Sequence, residues 1–394
     1  RVYSQVTSLN PQGTDFDKAL LYFAEEGPAD EAWLAWHCST TAGHDKHSHE
    51  SRRQWTRDNL DLITAVAHDP VGNLSLWADM AEPWCFLAAA IDYVACFVDC
   101  TKETSGLPIG IDATCSGLQH LSSMTLDRTA ALQVNVVKDL EGPDKPADGY
   151  RTVAEAALKY IKDPEIHPFI DRKTTKRTVM TVPYGVSRNS ARDYIRSALI
   201  EKGFDLSIRG RLPEIVTAIY EKAVPEVFEG PVKVMEWLQQ TARDLLETQE
   251  VISWTTPAGF TVVQDLRKSK SSIIKTKLMG QVLKVAVGDG WGDPDVKHHV
   301  GAIAPNVVHA LDAALLQLTF AHWDQPFTVI HDCILARSCD MKQMNHEIRH
   351  HFAEMYKDLP LVDWANQVGA VIPEGMIKGD LDMDDVLNSP YFFC

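Results

Sequence analysis

The stretch Phe327-Thr-Val-Ile-His331-Asp332-Cys-Ile-Leu-Ala336 decides the fold class. Two short apolar runs flank a His-Asp pair, the pattern of an antiparallel hairpin with polar residues at its tip. Working outward, the nearest counterpart is Leu107-Pro-Ile-Gly-Ile-Asp112, a short buried strand that also ends in a carboxylate. Gly117 to Met124 follows it as a helix. Burying a carboxylate without a partner is costly. Two of them at strand tips suit a pair of hard cations about 3.5–4 Å apart. Plainer roles exist for each taken alone: Asp112 as the cap of the following helix, Asp332 as a turn former.

A basic helix strengthens the pair. Asp171 to Tyr184 reads as helical, with Arg172 and Lys176 one turn apart. Arg172, Lys176 and Tyr184 fall within about a third of the circumference. Arg172 offers a forked contact to phosphate, and Lys176 a point charge able to donate a proton. Pro183 then disturbs the helix before Tyr184-Gly185. An exposed, solvated basic face is the competing account.

Composition bounds the rest. The 394 residues are 45% apolar and 23% charged, which is globular and excludes global disorder. Length suggests two or three lobes. No stretch approaches about 20 uncharged apolar residues, so no membrane span is expected. The most apolar window, Trp84 to Val98, carries Asp92 in its middle. Eight scattered cysteines without a C-x-x-C pair fit reduced thiols. Net charge is −16, on its face unlike a nucleic-acid binder. Two islands oppose it: Arg172 to Arg196 sums to +6, and Gln264 to Lys284 (Arg267, Lys268, Lys270, Lys275, Lys277, Lys284 against Asp265) to +5. Basic islands in an acidic shell can focus a polyanion.

Two histidine patterns point elsewhere. His346-Glu-Ile-Arg-His350 matches the H-E-x-x-H zinc-peptidase pattern, with Glu347 as base, but no third ligand motif follows. Met341 to Tyr356 reads equally well as an amphipathic surface helix. His44, His47 and His49 sit in a polar stretch that reads as a solvated loop.

Three ordered segments carry a resemblance. Asp112-Ala-Thr-Cys-Ser-Gly-Leu-Gln-His120, Arg172-Lys-Thr-Thr-Lys-Arg-Thr-Val-Met-Thr-Val-Pro-Tyr-Gly185 and Ile330-His-Asp332 resemble motifs A, B and C of the bacteriophage-type single-subunit DNA-directed RNA polymerases, which include the mitochondrial enzymes. Arg1-Val-Tyr3 with Asn10-Pro-Gln-Gly13 resembles the start of that family's palm. Ala304-Pro-Asn-Val-Val-His309 resembles the segment before the second palm portion, and Gly379 to Cys394 the C-terminal foot.

The resemblance implies an α+β fold: a right-hand palm with an antiparallel sheet, and mainly helical fingers. Palm would be residues 1–128 and 310–394, fingers 129–309, with a specificity loop near 264–300. It implies DNA-templated RNA synthesis by two-metal nucleotidyl transfer. Asp112 and Asp332 would hold two magnesium ions. Arg172 and Lys176 would bind the triphosphate, and Lys176 would protonate the leaving pyrophosphate. Tyr184 and His309 would select the ribose. Gly117 would leave room for a 2′-hydroxyl where related DNA polymerases carry a glutamate. His331 would lie against the RNA 3′ end. Arg1, Gly185, Arg267, Lys268 and Lys270 would meet nucleic acid. Expected partners are a double-stranded DNA template with its promoter, nascent RNA and ribonucleoside triphosphates. The expected state is a monomer away from membranes, cytoplasmic in preference to mitochondrial. The alternatives are a DNA polymerase of the same superfamily and, from another class, a zinc hydrolase using His346 and His350. The chain begins with Arg1, so it reads as part of a longer protein, whose N-terminal domain and thumb would lie upstream. Cys394 stands where relatives often carry a small residue.

Overall fold

Elements follow from local chemistry. In chain order the ones that position the site are helices α1 (Glu31–Ser39), α2 (His49–Asp58) and α3 (Pro83–Phe97), then strand β1 (Ile109–Asp112). Next come α4 (Ser116–Met124), α5 (Arg172–Thr181), α6 (Arg188–Glu201) and α7 (Glu229–Leu245). Strands β2 (Ile252–Thr255), β3 (Thr261–Gln264), β4 (Arg267–Leu278) and β5 (Gln281–Pro294) precede α8 (Val296–Phe320). Strands β6 (Phe327–Ile330) and β7 (Cys333–Ala336) and helices α9 (Met341–Lys357) and α10 (Pro360–Val368) complete the set. The structure is a computed structural model describing residues 1–205 and 210–394. The class is mixed α+β, with helices and small antiparallel sheets. Two units divide the chain: Arg1–Gly149 with Leu315–Lys357 and Gly379–Cys394, and Tyr150–Ala314 with Asp358–Lys378.

The first unit is built on a three-stranded sheet in the order β1-β7-β6. Ile109, Ile111, Ile334 and Ala336 are buried, so the hydrophobic face fixes the register. Phe393 bridges Ala113, which extends the ladder beyond β1 on its other edge. All nine residues of α4 are buried. His120 on α4 meets the hydroxyl of Tyr356 on α9 at 2.6 Å. Helix α9 buries Met341, Met344, Ile348, Phe352 and Met355, spaced three and four apart as its amphipathic pattern requires.

Asp92 explains itself in the fold. It is buried inside α3, where Lys102 Nζ pairs with it at 3.0 Å and Ser105 Oγ donates to it. A buried carboxylate is tolerated when such partners replace water. The N-terminus of α3 is capped from a distance: Asp15 accepts from the amides of Trp84 at 2.7 Å and Cys85 at 3.1 Å.

The second unit stacks α5 on α6, and α10 on β2 and α7. Gln367 of α10 accepts from Thr255 N–H at 2.7 Å and donates to its carbonyl at 3.0 Å. Trp364 packs edge-on to Trp237 and Trp254. Helix α8 corrects one expectation. It is long and apolar enough to cross a membrane by length and composition, because Lys297 and Asp312 interrupt it too sparsely to matter. Yet 56% of its most apolar stretch is buried, as in the core helix of a globular protein.

The histidine stretch also departs from expectation. His47 is exposed, but His49 begins α2 and is fixed on both nitrogens. Trp36 Nε1–H donates to its Nδ1 at 2.8 Å, and its Nε2–H donates to the Pro390 carbonyl at 2.9 Å. Its ring stacks on Tyr391. Burial lowers its pKa from 6.5 to about 4, despite the carbonyl that raises it. The unfolded chain therefore takes up a proton that the folded one refuses. His49 contributes stability above pH 6.5, and this is lost as pH falls toward 4. We expect His49→Gln to lower stability near neutrality and to flatten the acid limb over that window. Denaturant melts at several pH values check it, and an unchanged acid limb would refute the role.

Candidate active site

The register places the two aspartates together. Asp112 pairs with Cys333, and Ala113 N–H donates to the Asp332 carbonyl at 3.3 Å. Both carboxylates thus sit at one end of one sheet. The turn between β6 and β7 is only His331-Asp332. Such two-residue turns need positive φ at a central position, and His331 takes it at 42°. Its Nδ1 accepts the Asp332 amide at 2.8 Å. His331 N–H in turn donates to the Val2 carbonyl at 3.1 Å, and Tyr3 lies edge-on to its ring. Arg1 begins that same segment.

Exposure differs from the expectation of two buried carboxylates. Asp112 is exposed, while the Asp332 side chain is 16% exposed. Asp332 Oδ1 is buried and accepts no hydrogen bond, although it lies against His331 Nδ1. A buried carboxylate oxygen lacking a donor suits cation ligation. Asp112 does not cap α4, whose N-cap is Cys115 without a side-chain bond. Gly117 sits in the buried first turn of α4.

Sequence reasoning missed what holds β1. Cys394 N–H donates to the Asp112 carbonyl at 3.0 Å, so Cys394 flanks Asp112 on one side and Cys333 on the other. Burial, with the Asp112 charge nearby, pushes the Cys333 thiol up and keeps it protonated. The C-terminal segment is clasped in turn. Arg349, buried, donates to the carbonyls of Ser389 at 2.9 Å and Pro390 at 3.0 Å. Gln119 donates to the Phe392 carbonyl at 2.9 Å and Thr114 to that of Tyr391 at 2.8 Å. The side-chain contacts span 40 to 277 positions, and no spacing rule signals them.

In the second unit the motif helix is shorter than expected. Helix α5 ends at Thr181, and Val182–Tyr184 tightens to a 3-10 turn, because Pro183 offers no amide and restricts Val182. Asp171 caps α5, accepting from Thr174 N–H at 3.1 Å. Thr174, Thr175, Thr178 and Val179 are buried. Lys176 is exposed and makes no hydrogen bond or ion pair among the described residues. The Arg172 guanidinium lies 5.4 Å from the Tyr150 ring centre, which holds it by cation–π attraction. Tyr184 and His309 meet, with ring centres 4.8 Å apart. Gly185 has φ 70°, and a Cβ there would meet the Gly301 carbonyl at 3.2 Å. Its smallness thus serves the packing of α8.

Strands β4 and β5 form one long exposed hairpin. Directly paired residues share a face. One face carries Lys275, Lys277 and Lys284, and the other Ile274, Leu278, Leu283, Val285 and Val287. Lys268 and Lys270 lie exposed nearer the root, beside the register shifts. Arg267 differs from them, being paired with Asp265 at 2.7 Å and Glu250 at 3.0 Å.

The zinc alternative gains no third ligand among the described residues. His346 and His350 are exposed on α9, with ring centres 6.2 Å apart. Among the described residues, the group of three close metal-ligating side chains is Asp15, Glu82 and Cys85, where Asp15 already caps α3.

Comparison with known proteins agrees with the motifs. The family model described as DNA-dependent RNA polymerase matches residues 24–374. The chain is 31% identical to DNA-directed RNA polymerase 2B, chloroplastic/mitochondrial, of Nicotiana tabacum, over 100% of this chain and 41% of that protein. It is 32% identical to DNA-directed RNA polymerase 1B, mitochondrial, of the same plant, over 100% and 42%. For DNA-directed RNA polymerase 1, mitochondrial, of Arabidopsis thaliana the figures are 30%, 100% and 43%. The chain spans about two fifths of the length of these curated relatives. Their names place them in organelles, so a cytoplasmic location draws no support from them. By the family match over most of its length, the chain belongs to the DNA-dependent RNA polymerases.

Proposed function

We propose that this chain is the palm and fingers of a polymerase that copies DNA into RNA from ribonucleoside triphosphates. The observation that carries the reading is the ladder register that brings Asp112 and Asp332 to one end of one sheet. The first unit is read as palm and the second as fingers. On that reading the boundaries fall at 149 and 314, and Asp358–Lys378 goes with the fingers.

Asp112 and Asp332 would hold two magnesium ions, with the donor-less Asp332 Oδ1 turned to that use. Bound there, the ions would acidify the RNA 3′-hydroxyl and neutralise charge on the departing pyrophosphate. The chain's own residues do the rest. Arg172, steadied on Tyr150, forks onto phosphate oxygens. Lys176, exposed and without a partner among the described residues, binds the same group and donates the proton the pyrophosphate takes up. The paired rings of Tyr184 and His309 present polar groups to a 2′-hydroxyl, and Gly117 adds no side chain against it. A site built to bond a hydroxyl penalises its absence. His331 would lie against the RNA 3′ end. Arg1, Gly185, Lys268 and Lys270 remain assigned to nucleic acid, with Arg267 the least available because of its two carboxylates.

The hairpin is read as the specificity loop, its lysine face toward duplex DNA. The enzyme would act as a monomer. A DNA polymerase of the same superfamily is the lesser reading, opposed by Gly117 and by the relatives' names.

Three outcomes are expected in the intact polymerase. Asp112→Ala or Asp332→Ala lowers magnesium-dependent RNA synthesis roughly a thousandfold or more, with template binding nearly unchanged. Substantial extension by either variant would sink the two-metal assignment. Tyr184→Phe keeps extension but relaxes ribose selection about tenfold to a hundredfold, read by gel extension with mixed rNTPs and dNTPs. Replacing Lys275, Lys277 and Lys284 by Gln weakens duplex binding and makes its log–log salt slope shallower by about 2 to 3. An unaltered slope would remove that face from the DNA.

A further inference from the structure

The hairpin of β4 and β5 is exposed along its whole length, so its direction is set at its root. Two backbone contacts close that root. Asp295 N–H donates to the Leu266 carbonyl at 2.8 Å, and Leu266 N–H donates to His299 Nε2 at 3.0 Å. His299 lies in the first turns of α8 and is fully buried. Behind it stands a polar chain. Gln264 Nε2–H donates to the His299 backbone carbonyl at 3.1 Å, and the same nitrogen lies 3.1 Å from His299 Nδ1. Asn306 Nδ2 donates to Gln264 Oε1 at 2.7 Å. Gln264 ends β3, immediately before the root, and Asn306 lies two turns along α8.

Accepting from the Leu266 amide requires a bare Nε2, which leaves the neutral ring's proton on Nδ1, where Gln264 Nε2, also a donor, stands 3.1 Å away; the ring satisfies Leu266 at the expense of Gln264. A second proton would land on Nε2, directly against the Leu266 N–H. A second pair of donors would then face each other, and the part-buried Leu266 amide would lose its acceptor. The charged and titratable groups around the ring are Asp265, Asp295 and His298. The two carboxylates favour the imidazolium, and His298 opposes it. Burial outweighs the Leu266 backbone contact and the two carboxylates, all of which pull upward, and holds His299 below the ordinary imidazole range.

We propose that His299 is the positioning residue of the hairpin: its bare Nε2 locks the root and sets the direction of β4 and β5, and a proton there releases it. The consequence for DNA rests on the hairpin reading given above, whereas the lock itself does not.

The test compares wild type, His299→Gln and His299→Leu in the intact polymerase. Amide exchange at Leu266 is followed between about pH 7.5 and pH 5, corrected for intrinsic exchange. Wild type loses protection about tenfold or more on acidification. His299→Gln keeps an acceptor oxygen, so its protection does not follow pH. His299→Leu leaves the amide unprotected throughout. Wild-type protection indifferent to pH overturns the lock, as does full protection in His299→Leu. If His299→Leu fails to fold, the contrast between wild type and His299→Gln decides alone. Duplex DNA binding by fluorescence anisotropy is measured on the same proteins. Weakening in His299→Leu with rescue in His299→Gln supports the link to DNA. Equal binding by all three, with the exchange pattern as expected, leaves the lock standing and overturns the hairpin reading instead.

Discussion

The antiparallel pairing of β1 with β7 is the constraint on which the first unit depends. Asp112 lies opposite Cys333, and a turn of two residues then presents Asp332 beside it. A slip of one residue would send Ile109 and Ile111 to the wrong face and carry the carboxylate with them. The buried isoleucines that stabilise the sheet therefore also aim the carboxylates. Core packing and the placement of charge are one requirement here.

Around that ladder four polar side chains are committed to backbone. Arg349, His49, Gln119 and Thr114 all bind carbonyls of the segment from Ser389 to Phe392. The residues that follow it pair with β1 and its extension, Phe393 with Ala113 and Cys394 with Asp112 itself. The carboxylate strand is braced on both edges, once by β7 and once by the chain terminus. The second unit uses the same device at the hairpin root, where Gln264, His299 and Asn306 secure two backbone groups.

Much of this was legible in the sequence, for identifiable reasons. Two apolar runs flanking His331-Asp332 gave the hairpin, and Pro183 followed by Gly185 announced a break in the motif helix. The early end at Thr181 was not foreseen, because proline's effect on the residue before it reaches back along the chain. The basic island at 264–284 marked the hairpin but not its two faces, which depend on pairing register. Asp112 was expected to be buried and is exposed, since burial of a strand does not extend to its last residue. The clasp by His49 and Arg349 was illegible, because contacts 341 and 40 positions apart leave no local pattern. The division of Asp112 and Asp332 from Arg172, Lys176, Tyr184 and His309 follows the expected palm and fingers, whereas the assignment of Asp358–Lys378 to the second unit emerges only from the fold.

The first unit is discontinuous in the chain, and this has a cost during synthesis. Strand β1 leaves the ribosome about 220 positions ahead of β7, its ladder partner. At the usual 5–20 residues per second, that is a wait of roughly 10 to 40 s. Through that interval an apolar strand has an unpaired edge, the sort of surface that aggregates or recruits chaperones. The second unit, by contrast, has most of its residues in one run and can mature while the nascent first unit waits.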